Sequence, residues 1–101
     1  MKTISTYTNT GDGGGTGYYT NFFGLKLCWG QTGAITVSGA ANKNISMPVG
    51  FFTNVRSAVH DKFGSAVFST QQGGAASTTN LQIYFGSGTG TGYVNWFVIG
   101  S

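Results

Sequence analysis

The chain has no glutamate, and its only acids are Asp12 and Asp61. A glycan-cleaving centre needs two carboxylates about 5–10 Å apart, so it would have to use both, one of them in a glycine loop. A Ser–His–Asp relay fares no better. The one histidine is His60 with Asp61 beside it, and adjacent residues of a strand point to opposite faces. A non-enzymatic protein is expected, with His60 a surface or satisfied residue. Cys28 is the only cysteine, which excludes an intrachain disulfide and a metal site of Cys/His spacing. In an apolar strand it should be buried and inert.

Few strong helix formers and a single proline, against 18 glycines and abundant Thr, Ser and Asn, argue against helices. No apolar run approaches the ~20 residues of a spanning helix. The residues after Met1-Lys2 (Thr3-Ile4-Ser5-Thr6-Tyr7) form no apolar leader core, so neither membrane insertion nor a cleaved leader is expected. The net charge of +3 reflects missing acids. Lys2, Lys26, Lys43, Arg56 and Lys62 are scattered, so no basic stripe for nucleic acid is present. The Gly11–Gly17 run lacks the Lys-Ser/Thr and following helix of a phosphate loop. No cofactor is implied.

What is present reads as strands. The end of the chain, Tyr93-Val94-Asn95-Trp96-Phe97-Val98-Ile99, is aromatic and β-branched on both faces. It is expected to be a central strand, covered by its own second sheet and by another chain. Leu25, Leu27 and Trp29 alternate away from Cys28, Ile35 pairs with Val37, and Leu81, Ile83 and Phe85 share a face. Asn44–Val49 reads as a strand ended by Pro48. Val55–Phe63, with Val55 and Val59 on one face, is joined through a Gly64-Ser65 hairpin to Ala66–Gln71. Gly39–Lys43 and Gly86–Gly92 read as loops. The expected fold is all-β, a small antiparallel β-sandwich of about seven strands, with residues 1–17 a flexible Gly-rich entry segment and 18–101 the sandwich.

Three stretches in order resemble the C-terminal receptor-binding (tip) domain of bacteriophage tail fibres. They are Gly24-Leu25-Lys26-Leu27-Cys28-Trp29-Gly30, Asn44-Ile45-Ser46-Met47-Pro48-Val49-Gly50-Phe51 and Asn95-Trp96-Phe97-Val98-Ile99-Gly100. The likeness covers roughly residues 18–101. Cys28 before Trp29, and the missing aromatic before Pro48, depart from the pattern. The strand pattern is also similar to that of trimeric invertebrate agglutinin lectins. The resemblance implies a homotrimer at the distal end of a virion's tail fibre, recognising a host cell-surface glycan or other surface receptor. A structural module that trimerises or caps the fibre, and a stand-alone trimeric lectin, are the alternatives.

Subunit contact is expected among Val94, Trp96, Val98, Phe97 and Ile99, or among Leu25, Leu27 and Trp29. Sugar binding calls for aromatic faces and amide groups. If the strands alternate up and down, loops 31–34, 50–54 and 71–79 gather at the far end. The expected receptor contacts are then Gln31, Phe52, Asn54, Gln71, Gln72 and Asn80. A lateral site between subunits would instead favour Tyr84 and Ser87.

Overall fold

The computed structural model describes residues 3–63, 67–72 and 77–101, the side chains of 62, 63, 67–72, 87 and 88 excepted. Among the described residues it is all-β, with eight strands: β1 (Ser5–Thr8), β2 (Thr16–Phe22), β3 (Leu25–Gln31), β4 (Ile35–Ser38), β5 (Ala41–Ser46), β6 (Val55–Phe63), β7 (Val67–Gln72) and β8 (Asn80–Gly100). All pairs are antiparallel.

The organising element is β8, 21 residues long. Along one side run β3, β4 and β5 in succession, with Lys26 opposite Gly100, Ile35 opposite Gly92 and Ser46 opposite Asn80. Along the other run β6 and β7, with Phe63 opposite Tyr93 and Val67 opposite Thr89. A straight strand of this length would span about 65 Å, yet the longest dimension of the molecule is 42 Å. So β8 is bent, and it carries its neighbours with it. Its first half and its last half bury side chains in one core, where Ile35, Val37, Ile45, Leu81, Ile83 and Phe85 meet Cys28, Val94, Trp96 and Val98. The two layers of the sandwich are thus largely one sheet folded over on itself. Each fully buried aliphatic or aromatic contributes about 1.5–3 kcal/mol.

A change of parity makes the fold-over possible. The inward residues of β8 are odd-numbered from Leu81 to Phe85 and even-numbered from Gly92 to Val98. Between them β8 steps from Phe85 to Gly88 while β7 steps only from Thr70 to Phe68. The extra residue is a β-bulge, which bends a strand and switches its faces. Gly90, at φ 146°, supplies a conformation that a residue with a Cβ rarely adopts. Opposite this region Thr32 replaces a ladder partner: its N–H donates to Val94 O at 2.9 Å, and Val94 N–H donates to Thr32 Oγ1 at 3.0 Å.

Several sequence expectations are corrected here. Leu81–Phe85 and Tyr93–Ile99 are one strand, with Gly86–Gly92 inside it. β6 and β7 do not form a hairpin with each other, since both run antiparallel to β8; Gly64-Ser65 itself lies outside the described residues. A strand of the sheet, β1, lies within the expected entry segment and pairs with β2. The following loop is anchored by Asn9, which accepts from Gly11 N and Ser46 N and donates to Gly14 O, and by Asp12, whose carboxylate accepts from Asn44 N. Part of the Gly39–Lys43 stretch is strand, because β5 begins at Ala41. A register shift between Val55 and Ser57 turns Val55 towards the core while Val59 faces out, so the two valines do not share a face.

Candidate ligand-binding face

The layer β1-β2-β3-β8-β6 has an inner face in the core and an outer face of regular composition. Register builds the outer face in rows. One row is Tyr18, Trp29, Phe97 and Val59, each opposite the next on β2, β3, β8 and β6. Tyr18 stacks on Trp29 with ring centroids 6.0 Å apart and planes at 23°. The next row is Gln31, Asn95 and Asp61, cross-strand neighbours on β3, β8 and β6. On the other side of the aromatic row lie Leu27, Ile99 and Ser57, then Leu25 opposite Phe22. A wide apolar field therefore gives way to a polar row, beyond which the same face of β8 presents Tyr93, 38% exposed.

This field is not covered by the chain itself. Val59 is 59% exposed, Leu25 46%, and Tyr18 and Phe97 37% each. At its far corner the β2–β3 turn carries Phe22 and Phe23, edge to face at 4.8 Å. Phe23 holds φ at 54°, a left-handed conformation uncommon for a bulky residue. The core side of the layer differs sharply. Cys28 and Val98 are fully buried, and Gly30 admits the Trp96 indole where a Cβ would come within 2.5 Å of its ring.

Where the aromatic and polar rows meet on β6 and β8 there is a shallow pocket of about 190 Å³, lined by Val59, His60, Asp61, Asn95, Trp96 and Phe97. Burial pulls the His60 imidazole below its ordinary pKa, with the Asp61 charge opposing. The neutral ring is therefore the form at neutral pH, and the one charge among the lining residues is the Asp61 carboxylate. The exposed lining is mostly apolar, with a small polar share, and suits the C–H face of a ligand that also carries hydroxyls.

The six residues expected to contact a receptor do not form one cluster. Phe52 is buried in the core, which removes it as a surface contact; its ring lies where a Cβ on Gly100 would touch it. Asn54 is exposed but sits beside the chain end, where Asn54 N–H donates to Ser101 O and Ser101 N–H to Asn54 O. Asn80 is exposed in a turn with Ser77, near the same end, because Met47 N–H donates to Thr79 O. Gln31 is exposed but lies opposite Asn95, about 17 Å along β8 from the Gly100 level. Gln71 and Gln72 are opposite Tyr84 and Ile83, with side chains outside the described residues, as is that of Ser87. The strands flanking β8 all run antiparallel to it and not alternately up and down, so loop 31–34 lies by the fold of β8, while 50–54 and the described part of 71–79 meet at the end that carries Asn80, Gly100 and the chain terminus.

The pocket residues Asp61, Asn95 and Phe97 were not among the receptor contacts expected from the sequence. Only the β6–β8 register brings Asp61 opposite Asn95, and pairing partners 34 positions apart leave no local signal in the chain.

No family model matches the chain, and no curated protein matches it. Among solved structures it is similar to the N-truncated R2-type pyocin tail fibre, with a TM-score of 0.56 and 21% sequence identity. That likeness covers 96% of this chain and 38% of the pyocin fibre chain, so the protein has the fold of part of a tail fibre.

Proposed function

We propose that the protein is a non-enzymatic receptor-binding domain of a phage-type tail fibre, working as a homotrimer at the distal end of the fibre and recognising a host cell-surface glycan. The observation that carries this reading is the tail-fibre likeness over nearly the whole chain, joined to the three stretches that resemble fibre tips.

The outer apolar field supports the trimer. Its exposed side chains amount to roughly 500 Å², at ~150–250 Å² for a whole aromatic side chain, with half-buried Leu27, Trp29 and Ile99 filling the space between them. The largest apolar patch of a typical monomer is about 300–600 Å² and is often a contact surface. A stable interface takes about 800 Å² from each partner, so the apolar field would form its centre and the polar surface around it the remainder. Three weak sites in one assembly then gain avidity on a repetitive surface, by about 10²–10⁴ where the geometry allows simultaneous contact.

The test pairs light scattering with binding to bacterial cells. A folded trimer that adsorbs to some strains and not others is the expected result. A trimer that adsorbs to none of a broad strain panel favours the capping module, and a monomer at micromolar concentration overturns the assembly.

A further inference from the structure

The proposed glycan reading leaves open where on the domain the sugar sits: at the free end of the sandwich, or on its flank. We infer that the pocket bounded by Asp61, Asn95, Phe97 and Val59 is a saccharide subsite on the flank, at the margin of the apolar field, for a neutral, hydroxyl-rich ring. This rests on the glycan reading above and adds its location and charge preference.

Three observations meet at the pocket. The first is size: an open hollow of about 190 Å³, below the ~300–1,000 Å³ of drug-sized pockets and on the scale of a single small ring. The second is the pairing of chemistry. Asp61 and Asn95 are direct cross-strand neighbours, as are Val59 and Phe97 one row along. Alternation puts all four on the same face, so two polar groups able to engage adjacent hydroxyls border two apolar groups able to cover C–H bonds. Gln31 extends the polar row on the far side of Asn95 and gives a second ring a partner. The third is charge. Asp61 brings an acceptor that pairs with sugar hydroxyls and repels carboxylated or phosphorylated sugars.

Position matters as well. Val59 and Phe97 belong both to the pocket and to the exposed apolar field. When that field is covered by another copy, the pocket becomes a cleft at the subunit boundary, repeated once per interface. At the end that carries Ser101, Phe52 is core, while Asn54 and Asn80 are exposed and engage Ser101 and Ser77 through backbone groups, which makes them the rival site in the titration below.

The experiment uses the full chain and amide-resolved NMR titration with glucose, galactose and N-acetylglucosamine, with glucuronic acid as the anionic comparator. One or more of the neutral sugars is expected to shift the Asp61, Asn95 and Phe97 amides saturably, and glucuronic acid to shift them at least tenfold more weakly. Asp61→Ala and Asn95→Ala should each weaken the neutral sugar at least tenfold, with the assembly mass unchanged by light scattering. Asn54→Ala and Asn80→Ala should bind as the parent does. Shifts centred on Asn54 and Asn80, with Asp61→Ala binding normally, would overturn the flank site while leaving the glycan reading standing. Glucuronic acid bound as tightly as the neutral sugars would overturn the charge preference. No response to any sugar, in a protein that still adsorbs to cells, would overturn the glycan reading and the subsite with it.

Discussion

The Tyr7 hydroxyl donates to the Ser46 carbonyl at 2.7 Å and lies 3.3 Å from the Cys28 sulfur, joining β1, β3 and β5 through the core. A phenol has one proton, so with that proton on the carbonyl the thiol donates to the phenol oxygen. Burial pushes the Tyr7 hydroxyl well above its ordinary range, with Cys28 adding to the effect. Burial likewise raises Cys28, partly offset by Tyr7 and Trp96. Both groups are therefore protonated in the fold, at pH values where the unfolded chain releases the protons. Their stabilisation is complete below the ordinary thiol value of 9.0 and is lost as pH rises beyond it. The melting temperature should hold up to about pH 8.5 and fall above it. In Cys28→Ala the fall should begin only near the ordinary phenol value of 10.0. An onset that does not move would show that the thiol is not linked to folding. Native Cys28, buried and free, should react with aromatic disulfide reagents only as fast as the protein opens.

The Asn9 side chain, 2% exposed, is the hub of the loop after β1. It donates to Gly14 O at 2.8 Å and Asp12 O at 3.3 Å, and accepts from Gly11 N, Ser46 N and Ser46 Oγ at 2.9, 2.8 and 3.1 Å. Removing it leaves several part-buried groups without this partner, each at up to about 1–3 kcal/mol if water does not replace it. Asn9→Ala should cost about 3 kcal/mol in a denaturant titration. Asn9→Asp should also destabilise, since it keeps one acceptor but turns the other oxygen on the Gly14 carbonyl. A cost under 1 kcal/mol for both would mean that the loop does not depend on this residue.

Much of the sheet was legible because burial follows period two within each stretch. Ile35 and Val37, Leu81, Ile83 and Phe85, and Val94, Trp96 and Val98 all bury as their alternation requires. Illegible were the places where the period breaks. Glycines from Gly86 to Gly92 look like a loop, because in sequence a bulged, bending strand and a turn share one composition. The shift at Val55/Ser57 has no sequence mark at all. The outer face was half legible: Leu25, Leu27 and Trp29 were expected at a subunit contact and do lie in the exposed field. Which polar residues border that field depends on register between distant strands.

The β2–β3 turn offers a test of local strain. Phe23 and Gly24 both have positive φ, 54° and 91°, the pattern of a two-residue hairpin that favours Asn-Gly. A left-handed conformation costs a residue such as Phe roughly 1–2 kcal/mol, and Asn relieves part of it. The exchange gives up the ring contact with Phe22, about 0.5–1.5 kcal/mol. Phe23→Asn is therefore expected to melt at the parent's temperature or above it. A loss of more than 2 kcal/mol would show that the ring holds the turn closed.

Val59 separates the fold of one chain from its assembly. It is 59% exposed on β6, in the aromatic row with Phe97. In an isolated subunit a lysine there would keep its ammonium in water, and surface changes of this kind stay within about 0.5 kcal/mol. In an assembly that covers the field, the same ammonium is driven into an apolar contact without a partner, at a cost of several kcal/mol per copy. Val59→Lys should therefore leave the far-UV circular dichroism unchanged while shifting the light-scattering mass from about three chains towards one chain of 10.5 kDa. Leu25→Lys, at the far side of the field, should do the same. If both variants keep the parent's mass, the field is not the contact between copies. If either loses its β-sheet spectrum, the two valine and leucine positions contribute more to the single chain than their exposure implies, and the assignment of the field to assembly fails.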